Sequence, residues 1–425
     1  MNSSYEQAVQ RLFDLQRFGI KLGLENIGRL LSRLGDPRPG RQTVIIGGTN
    51  GKGSVSAMLA SIGRAAGLRT GLFTSPHLTS FTERIQIDGR RITRQEVTAA
   101  AARLWEALEP FRRSGEPEPI TFFEMLTAMA ADYFHRNGVE LAVMEVGLGG
   151  RLDATNALPR DLVILTDISI DHVEYLGHTV ARIVDEKAAL FRPGVPAIAA
   201  GGLENAGELI VAQAAKAGCP LTLLGRDFTY RVADGRLSLR CGGEEIADLV
   251  VPLKGSHQYR NAAIAVCAAR QLGITDPATI RAGLAATVWP GRLEAFPGRP
   301  SWLLDAAHNP GGAAVLASAL VGEPRPDVWL MTCLGDKDIA GVVERIAPLV
   351  GKVICTTLPM DRAISPEKLA AIVRPFNSEV HLAADPDEGM ALAQRLAGPD
   401  GRILVAGSIY LLGHVRGKLT GETGP

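Results

Sequence analysis

A glycine-rich run at residues 47–54 contains the residue types that bind a polyphosphate. It reads Gly-Gly-Thr-Asn-Gly-Lys-Gly-Ser, so that Lys52 and the hydroxyl of Ser54 stand close together. Glycines let several backbone amides approach one anion, a helix N-terminus adds partial positive charge, and the lysine adds a full charge. The run departs from G-x-x-x-x-G-K-[ST], because Ile46 takes the first glycine position and Gly53 follows the lysine. A glycine-rich turn with a surface lysine is the alternative, and the flanking sequence favours a nucleotide site.

Glu145, near the end of the apolar run 141–146, is a candidate magnesium ligand. Magnesium prefers hard oxygen ligands and keeps several waters, so one carboxylate with a hydroxyl and phosphate oxygens can hold it. A helix-capping or salt-bridging carboxylate is the alternative reading of Glu145. Ser75 precedes a proline, so turn chemistry explains it equally well. His172 is a weaker candidate on spacing alone, because imidazole is not the first choice of magnesium.

A second group of polar residues follows the apolar run at 301–304. Asp305 and His308 stand there in Asp-Ala-Ala-His-Asn-Pro, and a carboxylate with an imidazole at a strand end can face a ligand. The alternative is a helix cap for Asp305 and a turn residue for His308. Arg292, in the preceding linker, is suited to contact a phosphate. Lys187 lies among charged residues, and a solvated charge run is the default explanation for it.

The elements that must position these residues alternate between apolar strands and helices. The run 43–46 is β-branched and predicts a buried strand, and apolar residues at helical spacing in 55–62 predict a helix. Repeated alternation indicates a mostly parallel sheet covered on both faces, with ligands beyond the carboxyl ends of its strands. Residues 219–253 are expected to form a β-rich insertion, and a second α/β unit is expected from residue 296.

Composition narrows the class of protein. The chain has 425 residues with 45 basic and 45 acidic side chains, which gives no sign of a nucleic-acid or membrane surface. Its five cysteines lack C-x-x-C pairing, which indicates reduced thiols. Neither a signal peptide nor an apolar stretch long enough to span a bilayer is apparent. We therefore expect a cytoplasmic protein that binds neither nucleic acid nor membrane.

Taken in order, the motifs resemble those of the folylpolyglutamate synthase/dihydrofolate synthase family of Mur ligases. They are G-T-N-G-K-G-S (48–54), T-S-P-H (74–77), T-F-F-E (121–124), E-V-G-L-G-G-R-L-D (145–153), D-H (171–172), E-K-A (186–188), H-x-x-x-N (257–261), P-G-R-L-E (290–294), D-A-A-H-N-P (305–310) and G-S-I-Y (407–410). The resemblance implies an α/β protein with a P-loop-containing N-terminal ATPase domain, 1–295, built on a mostly parallel sheet. It also implies a smaller, Rossmann-like α/β C-terminal domain, 296–425, that carries the glutamate ligase part.

The resemblance also assigns roles. For ATP it implies contacts from Thr49, Asn50, Gly51, Lys52, Gly53, Ser54, Asn261, Arg292 and Asp305. For magnesium it implies Ser75, Glu145 and His172, with a carbamylated Lys187 helping to hold a second ion. For the pterin substrate it implies Thr121, Phe122, Phe123, Glu124, Arg151, Leu152 and Asp153. His308 and Ser408 would lie on the side of the incoming glutamate, and Lys52, Lys187 and His308 would be catalytic.

The implied activity is ATP-dependent amide ligation through an acyl phosphate. L-Glutamate would be added to a folate and to dihydropteroate by a monomer whose partners are small molecules. Two alternatives stay open at this point. One is another Mur-type amino-acid ligase, such as a cell-wall precursor ligase, and the other is a non-catalytic nucleotide-binding protein.

Overall fold

The structure, a computed structural model, describes residues 4–18, 23–113, 120–171, 177–203, 205–335, 337–360 and 362–422. The strands in these segments are β1 (Gln42–Gly47), β2 (Thr70–Phe73), β3 (Ile85–Ile87), β4 (Arg90–Arg91), β5 (Leu141–Glu145), β6 (Leu162–Leu165), β7 (Ala197–Ala199), β8 (Leu221–Leu223), β9 (Phe228–Ala233), β10 (Arg236–Cys241), β11 (Glu244–Val250), β12 (Glu294–Phe296), β13 (Ser301–Leu304), β14 (Val328–Met331), β15 (Lys352–Cys355), β16 (Val380–Leu382) and β17 (Arg402–Val405). The helices are α1 (Tyr5–Phe13), α2 (Glu25–Arg33), α3 (Lys52–Ala65), α4 (Arg94–Arg113), α5 (Phe122–Arg136), α6 (Val180–Ala188), α7 (Ala206–Ala217), α8 (His257–Gln271), α9 (Pro277–Ala285), α10 (Pro310–Leu320), α11 (Ile339–Ile346), α12 (Pro366–Val373), α13 (Pro386–Ala397) and α14 (Ile409–Thr420). Within the described segments, no helix is long and apolar enough to cross a membrane.

The first sheet has the strand order β4-β3-β2-β5-β1-β6-β7-β8. The six strands from β2 to β8 in this order are parallel, and β3 and β4 extend the β2 edge in antiparallel fashion. In the central strand β1, Ile45 faces one hydrophobic core, whereas Val44 and Ile46 face the other. This alternation, with both faces apolar, is what a parallel sheet covered by helices on both sides requires.

The second sheet has the order β12-β13-β17-β14-β15-β16, with five parallel strands and an antiparallel edge strand, β12. It too separates two cores, one around Trp329 and Met331 and the other around Leu330 and Ile403. A third sheet, β11-β10-β9, is antiparallel and packs on α8 through Leu237 and Leu239. The predicted α/β architecture is therefore confirmed, including two mostly parallel sheets.

Local predictions and observed elements agree closely around the site. The strand expected at 43–46 is β1, and the helix expected at 55–62 is α3, which begins three residues earlier, at Lys52. The β-rich insertion contains the antiparallel sheet, whereas its first strand, β8, joins the first sheet. Strand β12 straddles the domain boundary expected at 295/296 and pairs with the second sheet. The boundary itself stays a prediction.

Candidate active site between the two sheets

The carboxyl ends of both parallel sheets face one cleft. Most of its lining comes from the segments that directly follow β1, β2, β5 and β13, as expected for ligand sites in open α/β sheets. The residues that line it include Gly48, Thr49, Asn50, Gly51, Lys52, Gly53, Ser54, Ser75, Glu145, Asp171, Lys187, His257, Gln258, Asn261, Trp289, Arg292, Asp305, His308 and Asn309.

The loop between β1 and α3 takes a conformation that only glycine adopts easily. Gly48 and Gly51 have φ angles of 138° and 86°, and Gly51 is the residue before the first turn of α3. A Cβ atom on Gly51 would lie 2.6 Å from Oδ1 of Asn261, so the side-chain amide of this α8 residue approaches the loop closely. The loop therefore presents the N-terminus of α3, with its free amides, to the cleft.

Two lysines point at one carbonyl oxygen of this loop. Nζ of Lys52 donates to the Gly48 oxygen at 3.1 Å and to the Thr49 oxygen at 3.1 Å. Nζ of Lys187, from α6, donates to the same Gly48 oxygen at 2.9 Å, and its side chain is buried. Burial, together with the positive charge of Lys52, lowers the pKa of Lys187 to about 7. Burial also lowers the pKa of Lys52, and the carboxylate of Glu145 opposes that shift.

Glu145 ends β5 beside the loop after β2. Its side chain is buried, and its Oε2 accepts a hydrogen bond from the backbone N–H of Ser75 at 3.0 Å. Burial raises the pKa of Glu145, and the charge of Lys52 is the main effect in the opposite direction. In the described part of the chain this is the one hydrogen bond to the carboxylate, so Oε1 is left as an acceptor facing the cleft.

This arrangement fits a divalent cation at Glu145. A buried carboxylate with an open oxygen is the hard ligand that magnesium prefers, and Ser75 lies beside it. His172, the third predicted ligand, lies outside the described residues. Among the residues that are described, no three His, Cys, Asp or Glu side chains come together as a ready-made metal site.

The loop after β6 forms hydrogen bonds to the glycine-rich loop between β1 and α3, which we call the phosphate loop (residues 47–54). Oγ1 of Thr166 donates to the backbone oxygen of Asn50 at 2.7 Å. Oγ1 of Thr49 donates to the oxygen of Ser169 at 2.9 Å, and Nδ2 of Asn50 donates to the Ser169 hydroxyl at 2.9 Å. The predicted nucleotide residues Thr49 and Asn50 therefore have structural partners more than a hundred residues away along the chain.

The second sheet contributes Asp305 and His308. The Asp305 carboxylate accepts backbone hydrogen bonds from Leu293 at 3.0 Å and Ala307 at 2.9 Å, which fix the segments on either side of it. Burial raises its pKa, and the charge of Arg292 opposes the shift. Nδ1 of His308 lies 2.9 Å from the oxygen of Ala306, and burial lowers the pKa of the imidazole. Arg292, Asp305 and His308 thus share the cleft with the phosphate loop.

Contacts between the two sheets' loops close one side of the cleft. Nδ2 of Asn309 donates to Oδ2 of Asp171 at 2.7 Å and to Oδ1 of Asn50 at 3.2 Å. Lys337 forms an ion pair with Asp171 at 3.0 Å, and both side chains are largely buried. The loops that follow β6, β13 and β14 are therefore joined by charged and amide groups.

The N-terminal turn of α8 supplies two residues to which the sequence analysis assigned no role, although His257 is the histidine of the H-x-x-x-N motif. Nε2 of Gln258 and Nδ1 of His257 are buried without a hydrogen-bond partner in the described segments, and both residues line the cleft. The predicted residue Asn261 lies one turn further and donates to Oε1 of Gln258 at 2.9 Å. Gln258 could have been predicted from the sequence, because it lies three residues before Asn261 and residues three apart on a helix share a face.

The residues predicted for the pterin substrate lie outside this cleft lining. Thr121 and Glu124 form a capping box at the start of α5, in which Oε2 of Glu124 accepts from the Thr121 amide at 2.8 Å. Phe122 stacks on Phe13 with ring centres 5.2 Å apart. The ring of Phe123 packs against Gly147, where a Cβ atom would approach it within 2.6 Å.

Arg151, Leu152, Asp153 and Ser408 likewise lie outside the lining. Arg151 is exposed and pairs with Asp185 at 2.8 Å, and Leu152 is exposed. The buried Asp153 accepts from the amides of Gly147 and Leu148 and from Thr155, which fixes the glycine turn after β5. Ser408 is buried and caps α14 through the amide of Tyr410. Their roles toward substrates stay predictions.

Two domain families match the chain. The Mur ligase middle domain matches residues 46–269, and the Mur ligase, glutamate ligase domain matches residues 291–409. The first segment contains the first sheet except residues 42–45 of β1, and the second segment contains the whole of the second sheet.

Individual proteins are similar over nearly the whole chain. A folylpolyglutamate synthase of Lacticaseibacillus casei is 33% identical over 98% of this chain and 99% of its own length. A probable bifunctional folylpolyglutamate synthase/dihydropteroate synthase of Haloferax volcanii is 37% identical over 97% of this chain, which spans 50% of that relative's length. The crystal structure of a bifunctional folylpolyglutamate synthase/dihydrofolate synthase from Yersinia pestis, complexed with AMPPNP and a Mn ion, has 30% identity and a TM-score of 0.87, covering 98% of this chain and 98% of that one.

Proposed function

The chain belongs to the folylpolyglutamate synthase/dihydrofolate synthase family of Mur ligases, and from that premise we propose its reaction. It adds L-glutamate to a reduced folate, and also to dihydropteroate, with ATP as the source of energy. One observation carries the proposal. Lys52, Glu145 and Lys187, which lie on elements of the first sheet's layer, share a cleft with Asp305 and His308, which follow β13 of the second sheet. A cleft between two sheets can hold a nucleotide on one side and an acceptor amine on the other.

The phosphate loop binds the triphosphate. The backbone amides at the start of α3 and the ammonium of Lys52 neutralise the phosphate charge. Gln258 and Asn261 lie on the adjoining turn of α8, where the unpaired Nε2 of Gln258 suits a hydrogen bond to the nucleotide. Arg292 and Asp305 approach the nucleotide from the second sheet.

Glu145 and Ser75 would hold magnesium beside the phosphates, and His172 would complete the set. The bound ion supplies charge neutralisation at the phosphoryl group that is transferred. The supporting observation is the open Oε1 of a buried carboxylate next to Lys52. The bound manganese in the Yersinia pestis structure supports divalent metal binding in this family.

Lys187 would be carbamylated and would help to hold a second magnesium ion. An amine must be uncharged to attack carbon dioxide, and a pKa lowered to about 7 makes much of Lys187 uncharged at neutral pH. Carbamylation would also replace the repulsion between Lys187 and Lys52 with an attraction. The product carries anionic oxygens of the kind that magnesium prefers.

The reaction then proceeds in two transfers. A carboxylate oxygen of the pterin acid attacks the γ-phosphorus of ATP, which forms an acyl phosphate and releases ADP. The amine of glutamate attacks the acyl carbon, and inorganic phosphate leaves as the amide forms. The protein holds the reactants together, stabilises the charge and keeps water from the acyl phosphate.

The contacts of Asn309 and Lys337 with Asp171 support closure of the cleft during these steps. His308 lies on the second-sheet side, where the glutamate would enter, and Ser408 lies beyond it at the start of α14. The predicted pterin residues at 121–124 and 151–153 flank the cleft on the first-sheet side. The monomeric state and the cytoplasmic location stay predictions.

Release of ADP tests this function directly. The enzyme is assayed with ATP and Mg²⁺ and with dihydropteroate or a reduced folate, each with and without L-glutamate. We expect sustained ADP release only when a pterin acid and glutamate are both present. Turnover that needs neither of them, or activity with neither pterin acid, would refute the proposal and leave another amino-acid ligase or a nucleotide-binding protein.

A further inference from the structure

Two cysteines outside the cleft lie with their sulfur atoms in contact. Cys241 is the last residue of β10, Cys267 lies in α8, and their Sγ atoms are 3.4 Å apart. The pair joins the antiparallel sheet to the helix that packs on it. None of the steps proposed above uses either thiol.

We propose that Cys241 and Cys267 are a reversible modification site, which a low-molecular-weight disulfide converts to an intramolecular disulfide. A disulfide bond is about 2.05 Å long, so the two sulfur atoms need to approach each other by only about 1.4 Å. A side-chain rotation with a small shift of the strand end is of that size.

The two thiols differ in exposure and in pKa, so they play different parts in the exchange. Cys241 is partly exposed, whereas Cys267 is fully buried. The hydrogen bond between the two thiols, together with the nearby guanidinium of Arg270, lowers the pKa of Cys241 to about 7. The same hydrogen bond and burial raise the pKa of Cys267. Cys241 is thus the thiol that an external disulfide can reach and that is partly ionised at neutral pH.

The exchange takes two steps. The Cys241 thiolate attacks one sulfur of the external disulfide, which forms a mixed disulfide and expels one thiolate that takes up a proton. Cys267 then loses its proton and attacks the sulfur of Cys241, and the second external thiol leaves. Two protein thiols are oxidised by two electrons in total, and one external disulfide is reduced to two thiols. The second step is intramolecular, so no external molecule needs to reach the buried Cys267.

The bond would connect residues 26 positions apart and tie β10 to α8. The first two turns of α8 place Gln258 and Asn261 at the cleft, so the bond would be attached to the same helix as these candidate nucleotide residues. Because the bond closes a loop, we expect the oxidised chain to unfold at a temperature several degrees above that of the reduced chain.

Oxidised glutathione is the probe for the test. The full-length folded protein is incubated with it, the remaining thiols are alkylated, and the products are identified by intact-mass and peptide mass spectrometry. We expect three alkylated cysteines on a chain about 2 Da lighter than the reduced chain with three alkyl groups, a cross-linked peptide pair containing Cys241 and Cys267, and full reversal by dithiothreitol. Five alkylated cysteines after incubation, or a bridge between other cysteines, would overturn the proposal.

Variants separate the two steps. In Cys267→Ser we expect one glutathione to accumulate on Cys241, because the second thiol is missing. In Cys241→Ser we expect Cys267 to stay unmodified, while the matched control Cys219→Ser, which replaces another buried cysteine, still forms the bridge. Glutathione on Cys267 instead of Cys241 would contradict the assigned order. These measurements use no substrate, so their failure would leave the proposed ligase activity unaffected.

Discussion

Lys52 and Lys187 donate hydrogen bonds to one and the same acceptor, the backbone oxygen of Gly48, at 3.1 and 2.9 Å. Two ammonium groups at one carbonyl repel each other, and burial adds to the cost of both charges. The lowered pKa of Lys187 follows from these two effects. Lys187 is the more deeply buried of the two side chains, and we propose that it is the lysine that gives up its positive charge.

Replacing Lys187 tests whether this side chain takes part in the reaction. We expect Lys187→Ala to lose most of the activity, by about 100-fold or more in kcat, since a ligand for the second magnesium would be missing. Lys187→Met keeps the length of the side chain and should lose as much. Steady-state ADP release measures both variants.

The matched control is Lys216→Ala, which removes an exposed lysine from the neighbouring helix α7 and should keep wild-type kcat. Thermal unfolding of all three variants shows whether the fold is retained. Wild-type rates in Lys187→Met would rule out the carbamate role.

The carbamate itself should be visible and should depend on pH. With a pKa of about 7, the uncharged fraction of Lys187 rises from roughly one tenth at pH 6 to roughly nine tenths at pH 8. We therefore expect a protein carbamate signal in carbon-13 NMR after incubation with labelled bicarbonate, and we expect it to strengthen across this range at fixed dissolved carbon dioxide. The signal should be missing in Lys187→Met. A signal of equal strength in that variant would assign it to another amine.

Much of the first sheet's chemistry could be predicted from sequence because its signals are local. The strand, glycine turn and lysine of β1 and α3 are contiguous, and Glu145 ends an apolar run as expected for a residue at the carboxyl edge of a sheet. The capping box of Thr121 and Glu124 was equally readable from their spacing. Local patterns thus predict the strands and helices of this region and the carboxyl edge of the first sheet as the place where ligands bind.

The partners of these side chains were beyond such reasoning, because they come from distant segments. That Lys187 shares an acceptor with Lys52 depends on how α6 is placed relative to the loop after β1, and no spacing within residues 179–191 predicts it. Asp153 looked like a ligand residue, yet four hydrogen bonds from backbone and hydroxyl donors occupy its carboxylate. Its predicted substrate contact is untested, and its contribution to the glycine turn is a finding of the structure.

Removing the charge of Glu145 should weaken magnesium binding. We expect Glu145→Gln to raise the magnesium concentration for half-maximal activity by about tenfold or more, because an amide is a poorer ligand than a carboxylate. Glu124→Gln is the matched control, since Glu124 is 6% and Glu145 5% exposed. That control should lower the unfolding temperature without moving the magnesium dependence. Equal shifts in both variants would argue against a metal at Glu145.

The contact between the two sheets can be tested at Asn309. Asn309→Asp keeps the oxygen that caps α10 through the Gly312 amide but loses the donor to Asp171 and places two carboxylates together. We expect kcat to fall by about tenfold, with the unfolding temperature changed by only a few degrees. Ser365→Ala removes the cap of α12 on the same sheet and should cost about 1 kcal/mol of stability with kcat unchanged. Unchanged kcat in Asn309→Asp would show that this contact is dispensable.

The shape of the phosphate loop can be tested at Gly51 against a glycine with nearly the same φ angle. Gly51 and Gly225 have φ angles of 86° and 87°, so alanine costs about 1 kcal/mol of conformational strain at either position. Gly225 is exposed, and an added Cβ there meets nothing within 4 Å. At Gly51 the Cβ would lie 2.6 Å from Oδ1 of Asn261, so the loop or α8 must move as well.

Because that movement displaces the amides at the start of α3, Gly51→Ala should weaken ADP binding by about tenfold or more, as measured by titration calorimetry. Gly225→Ala should lose stability through strain alone and should bind ADP as the wild type does. The difference between the two variants isolates the close approach of Asn261 from the cost of the left-handed conformation. Equal ADP affinity in both would mean that the loop absorbs the added atom, and that its observed shape is not what positions the phosphate-binding amides.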